Sequence, residues 1–192
     1  MLPSIAACPR LLRLTLSFPA LYDSVGEAFL LSECCARLQF FDLDYFLFTS
    51  FDRAIWDKAF VAMKSLSELI VSRVESVHGL FEAVVGAPAL RLLSVKPNTN
   101  GHSFGNSSLP RAPAIESLLA QCSRLHFVLV LSSPTQTSDV QRLETQNDPG
   151  WVRLRAVFGE RFFVQKESPA TALLSAATLS DKNASKQADQ HR

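Results

Sequence analysis

The chain has 192 residues, of which 47% are apolar, enough for one domain or one short solenoid to bury a sizeable core. Nineteen Lys and Arg face eighteen Asp and Glu, a formal net charge of +1, which gives no electrostatic case for a nucleic-acid partner. The longest apolar run falls well short of the ~18 residues a membrane helix needs, and the start of the chain lacks the basic segment of a secretory signal.

A nine-residue pattern opens at Cys8 (CPRLLRLTL) and returns at Cys35 (CARLQFFDL), Met63 (MKSLSELIV), Ala87 (APALRLLSV) and Cys122 (CSRLHFVLV). Its positions 4, 7 and 9 are Leu, Val or Phe in all five copies. Each copy reads as a short strand, with positions 4, 7 and 9 pointing into a core. Positions 6, 8 and 10 then share the opposite face, because side chains alternate along a strand. In chain order that face carries Arg13, Thr15 and Ser17, then Phe40, Asp42 and Asp44, then Glu68, Ile70 and Ser72, then Leu92, Ser94 and Lys96, and last Phe127, Leu129 and Leu131. The surface is polar and acidic over its first strands and apolar at its end.

Helical segments are predicted between these windows. Ser24 to Cys34 is the first. Over Asp52 to Met63, Ile55, Trp56, Ala59, Phe60 and Met63 form one apolar stripe, with Asp52 placed to cap its start. Ser76 to Val85 repeats the arrangement with Val77, Leu80, Phe81, Val84 and Val85, and Ile115 to Cys122 follows Pro113. Residues 97–113 (PNTNGHSFGNSSLPRAP) interrupt the spacing and read as a surface insertion loop. The apolar end reads as a partner site or, in the favoured reading, as a face capped by the amphipathic segment Trp151 to Val164 folding back over it, with Arg161 to Gln165 as a last short strand. Residues 166–192 read as a weak helix over Thr171 to Leu179 followed by a disordered tail.

The fold derived from this alternation is α/β: a short solenoid of about five repeats over residues 1–165, with parallel strands on the concave side and helices on the convex side. An ordinary α/β domain with unrelated strands is the alternative, since short apolar runs do not fix an architecture.

Catalytic patterns are sparse. Gly101-His102-Ser103-Phe104-Gly105 spells G-x-S-x-G, but a nucleophile elbow needs a strand running directly into the motif and a helix leaving it. Here polar and proline-containing positions separate it from the strand ending near Val95, and two prolines follow. A serine hydrolase using Ser103 is thus a remote alternative. Asp42 and Asp44 read as solvated charges on a strand rather than a paired-carboxylate centre. Among Cys8, Cys34, Cys35 and Cys122 there is no C-x-x-C pair and no histidine at ligand spacing, so neither metal nor cofactor is expected. Cys8, Cys35 and Cys122 share the first repeat position and read as small, buried, reduced thiols that close a helix, which points to the cytoplasm or nucleus.

The windows C-P-R-L-L-R-L-T-L and C-S-R-L-H-F-V-L-V, each next to a helix, resemble the cysteine-containing leucine-rich repeats of F-box proteins, in particular the repeat region of fungal F-box-like proteins. The resemblance implies a substrate-recognition surface, docked through an F-box onto a Skp–cullin ubiquitin ligase. The sequence departs from that pattern in two ways. It opens almost directly on a repeat at Cys8, without room for an F-box, so a Skp-type linker is expected only if an F-box lies upstream. The asparagine that often follows the strand is also mostly missing, the residues there being Pro19, Phe46, Val74, Asn98 and Ser133. The reading is therefore a non-enzymatic protein–protein interaction module without nucleic-acid or membrane partners. A partial gene product with no independent activity is its alternative. The residues expected to meet a protein partner are Phe40, Asp42, Asp44, Glu68, Ile70 and Lys96.

Overall fold

The computed structural model describes residues 8, 10–17, 24–44, 53–74, 77–97 and 109–167. Asp52, the motif at 101–105, most of the insertion loop and the C-terminal tail lie outside these residues. In chain order the elements are β1 (Arg13–Ser17), α1 (Ser24–Leu30), α2 (Glu33–Ala36), β2 (Phe40–Asp44), α3 (Arg53–Ala62), β3 (Glu68–Val74), α4 (Val77–Val84), β4 (Leu92–Pro97), α5 (Ala112–Gln121), β5 (His126–Leu131), α6 (Pro134–Thr145), α7 (Pro149–Phe158) and β6 (Phe162–Lys166).

The six strands form one open sheet in the order β1-β2-β3-β4-β5-β6, and every neighbouring pair is parallel. Crossovers between parallel strands are right-handed. A sheet that always steps in the same direction therefore collects its crossover helices on one side. The helices do pack as a row, α1 on α3, α3 on α4, α4 on α5 and α5 on α7.

The turn that enters each strand explains why the pattern recurs. The position-4 amide donates to the position-1 carbonyl in all five copies: Leu11 to Cys8 (3.5 Å), Leu38 to Cys35 (3.1 Å), Leu66 to Met63 (3.1 Å), Leu90 to Ala87 (3.3 Å) and Leu125 to Cys122 (3.0 Å). Position 5 then links one copy to the next. The Leu12 carbonyl accepts from the amides of Gln39 and Phe40, that of Gln39 from Ser67 and Glu68, and that of Ser67 from Arg91 and Leu92. These bonds satisfy the backbone where the chain leaves a helix and joins the sheet.

Core positions follow the pattern through four windows. Leu14, Leu16, Leu38, Phe41, Leu43, Leu66, Leu69, Val71, Leu90, Leu93 and Val95 are buried, and Leu11 packs partly buried against them. Trp56, Ala59, Phe60 and Met63 cover the sheet from α3 and the turn after it, and Val77, Leu80, Phe81 and Val84 do so from α4.

The fifth window departs from the sequence reading by one residue. Leu93 pairs with Phe127, so position 7 falls on Phe127 and not on Val128. Phe127, Leu129 and Leu131 are buried, whereas Val128 and Val130 lie half-exposed on the opposite face. A one-residue shift exchanges the two faces of a strand. Aromatic packing favours the observed choice: the Phe127 ring stacks on Phe162 at 5.8 Å and meets Phe81 edge-on at 5.2 Å. The apolar end assigned to the open face from Phe127, Leu129 and Leu131 is thus core.

The segment after residue 148 does not fold over the open face. It adds a sixth unit. Asp148 caps α7 by accepting from the Trp151 amide (2.9 Å), Trp151 and Leu154 join the core, and β6 pairs with β5. The same entry turn recurs, with the Arg161 amide donating to the Phe158 carbonyl (2.7 Å). Arg161 occupies the place of the repeat leucine. Its guanidinium donates to the carbonyls of Leu119, Cys122 and Ser123 at the end of α5 (3.0, 3.0 and 3.1 Å).

The segment from Ser24 to Cys34 forms two helices rather than one, because the Ser32 hydroxyl accepts from the Cys35 amide and starts α2 afresh. Of the cysteines at the first repeat position, all expected to be buried, Cys35 is buried, whereas Cys122 is only half-buried and Cys8 is exposed. Burial pushes the Cys35 thiol far above its usual range.

Candidate partner-binding surface

The face of the sheet turned away from the helices carries its side chains in rows set by strand register. One row runs Arg13, Phe40, Glu68, Leu92, His126; the next runs Thr15, Asp42, Ile70, Ser94, Val128, Phe163. A third begins Asp44, Ser72, Lys96, and Val130 pairs with Gln165 beyond it. Phe40, Asp42, Asp44, Glu68, Ile70 and Lys96 all lie on this face and all are half-buried.

Their surroundings separate them. Asp44 is held by Arg73, whose Nε and Nη2 donate to its two carboxylate oxygens at 3.1 and 2.6 Å. Lys96 is held by Glu167 at 2.7 Å. The Arg13 guanidinium sits 4.0 Å from the centroid of the Phe40 ring, a cation–π contact. Thr15 Oγ1 donates weakly to Asp42 at 3.5 Å. Burial raises the Asp42 carboxyl above its ordinary value, the neighbouring Asp44 charge raises it further, and the Thr15 hydroxyl opposes both. Asp42 and Glu68 make no ion pair among the described residues, so these two acids and Ile70 are the centre of the face least committed to internal contacts.

Sequence reasoning missed several members of the surface. Arg73 is the extra residue of a bulge between Ser72 and Val74 and has a left-handed backbone, φ 54°. No glycine or asparagine marks that bulge. His126, Val128 and Val130 were hidden by the register of the fifth window. Phe163 is 44% exposed and its ring stacks on His126, with centroids 6.3 Å apart. The open face therefore has an apolar end after all, built from Val128, Val130 and Phe163.

A groove of about 800 Å³ runs beside this face where the entry turns meet the strands, and its walls include Lys64, Glu68, Pro88, Arg91, Arg124 and His126. Among the described residues, no group of three or more His, Cys, Asp or Glu side chains could hold a metal ion. No described helix is long and apolar enough to cross a membrane.

Comparison with protein-family models, with curated proteins and with solved structures gave no match.

Proposed function

We propose that this chain is a non-enzymatic protein-interaction module, a leucine-rich-repeat solenoid that receives a partner protein on the open face of its sheet. The observation that carries the proposal is the division of labour across the sheet. One face of the strands is sealed under helices, while the other aligns Phe40, Asp42, Glu68 and Ile70 in adjacent rows with no described helix over them. A ladder of parallel strands in chain order makes each unit cover its neighbour and leaves the outer row of side chains to vary, which suits recognition. The thiols of Cys35 and Cys122 fit a reducing compartment, the cytoplasm or nucleus.

The residues lead to one more specific role. Repeats of the cysteine-containing kind suit the substrate-recognition part of an F-box-type ubiquitin ligase adaptor. That role requires an F-box joined to these repeats and a Skp-type linker bound to it. If no F-box is encoded beside them, the ligase role falls and the interaction role stands.

The interaction role is tested with a photo-crosslinking amino acid placed at Ile70 on the open face or at Val61, which is 58% exposed on α3. A discrete protein adduct from position 70 and none from position 61 supports the proposal. Equal labelling from both, or none from position 70, contradicts it.

A further inference from the structure

The entry turns carry a second pattern that the apolar repeat does not require. Positions 1–5 of the five windows read CPRLL, CARLQ, MKSLS, APALR and CSRLH. Each holds one Arg or Lys and none holds an acid: Arg10, Arg37, Lys64, Arg91 and Arg124. All five are exposed. The position-5 bonds stack these turns in order along one edge of the sheet. At the ~4.8 Å spacing of neighbouring strands the five cations extend over about 19 Å. The sixth turn ends the series with Glu160, and its arginine, Arg161, is consumed by backbone carbonyls.

Helix C-termini attract cations, and this is the simplest competing account of the row. It does not cover the geometry at α5. The carbonyls there are already met by Arg161, and the Arg124 side chain makes no hydrogen bond or ion pair among the described residues. The side chains of Lys64 and Arg91 make none either, and Arg37 reaches only Glu33, itself 95% exposed, at 3.9 Å. Three of the cations, Lys64, Arg91 and Arg124, converge on the groove beside the open face. With a net charge of +1 for the whole chain, this edge is a local excess of positive charge.

We infer that the edge binds an extended, carboxylate-rich segment of a partner protein, lying across the strands with its acidic side chains on Lys64, Arg91 and Arg124. An extended peptide covering that span presents alternate side chains to one side, so several carboxylates meet the row at once. A polypeptide fits better than a nucleic acid for two reasons. Glu68 lines the same groove, and a peptide places a neutral residue there, whereas every link of a phosphodiester is charged. The groove also lacks a stacking platform of Phe, Tyr or Trp, its lining being aliphatic, polar and basic apart from Glu68 and the His126 ring. This edge is a second surface, and the inference does not depend on what occupies the open face.

The test is fluorescence anisotropy with a labelled poly-glutamate peptide at low ionic strength. The wild type binds, and added salt weakens the complex. A variant carrying Lys64→Gln, Arg91→Gln and Arg124→Gln binds at least about tenfold more weakly, while Ile70→Ser binds as the wild type does. Carbodiimide coupling gives a readout on the unaltered protein: the peptide joins to Lys64 in preference to Lys58 or Lys166. The inference is overturned if the wild type does not bind poly-glutamate, if the triple variant binds equally well, if an oligo-dT strand binds more tightly than the peptide, or if coupling favours Lys58 or Lys166.

Discussion

Arg73 grips both carboxylate oxygens of Asp44 from a backbone position that an arginine rarely adopts. Its φ of 54° belongs to the bulge that ends β3, and the bulge turns its side chain back across the neighbouring strand. The left-handed backbone costs about 1 kcal/mol for a residue with a Cβ. The ion pair is part-exposed, with side chains 41% and 31% accessible, so it returns no more than about 1 kcal/mol.

These two magnitudes lead to an ordered prediction. Arg73→Ala keeps the backbone cost and loses the pair. Arg73→Gly loses the pair but removes the cost. Chemical denaturation should place Arg73→Ala about 1 kcal/mol below Arg73→Gly, with Arg73→Gly close to the wild type. A glycine variant less stable than the alanine variant would remove the bulge from the account.

Asp42 supplies a pH dependence. Burial and Asp44 raise its carboxyl in the folded protein, so the folded state holds this proton more tightly than the unfolded chain does. Its contribution to stability is therefore fully present below the unfolded value and is lost as pH rises through the raised folded value. Asp42→Asn should be more stable than the wild type at neutral pH, and the difference should vanish once pH falls below the ordinary carboxylate range. NMR titration of the Asp42 carboxyl carbon should show a midpoint above that of an unfolded aspartate, raised further in Thr15→Val. A midpoint at or below the unfolded value contradicts this reading.

Arg161 stands where the repeat places leucine, and its three bonds to carbonyls hold β6 against the end of α5. Arg161→Leu restores the pattern yet takes the guanidinium away from those carbonyls, of which only that of Cys122 keeps a second donor among the described residues, the Leu125 amide. We expect a loss of about 1–2 kcal/mol in a denaturation midpoint analysis, since bonds to a charged donor are worth more than neutral ones and this one is partly solvated. An unchanged or raised midpoint would show that the apolar pattern governs the sixth unit too.

The sequence exposes the first four units because each strand contrasts its two faces. Leu69 and Val71 alternate with Glu68, Ile70 and Ser72, and burying Leu69 with Val71 leaves a single apolar residue, Ile70, on the open face. The fifth strand, His126–Leu131, is apolar on both faces after its first residue, so alternation says nothing, and one residue fewer separates Leu125 from the strand than in the other copies. Ring packing with Phe81 and Phe162 decides the matter, and those contacts come from distant parts of the chain. The same limit explains the open face. Its six expected residues follow from alternation alone, whereas the partners that hold Asp44 and Lys96 lie 29 and 71 residues away.

The most direct measurement compares Val128→Asp with Leu129→Asp by chemical denaturation. Leu129 is fully buried and Val128 faces the open side. A charge at position 129 should cost more than about 4 kcal/mol or abolish folding, while a charge at position 128 should cost about 1 kcal/mol or less. The reverse order, or equal loss in both, would contradict the division of the sheet into a sealed face and an open one.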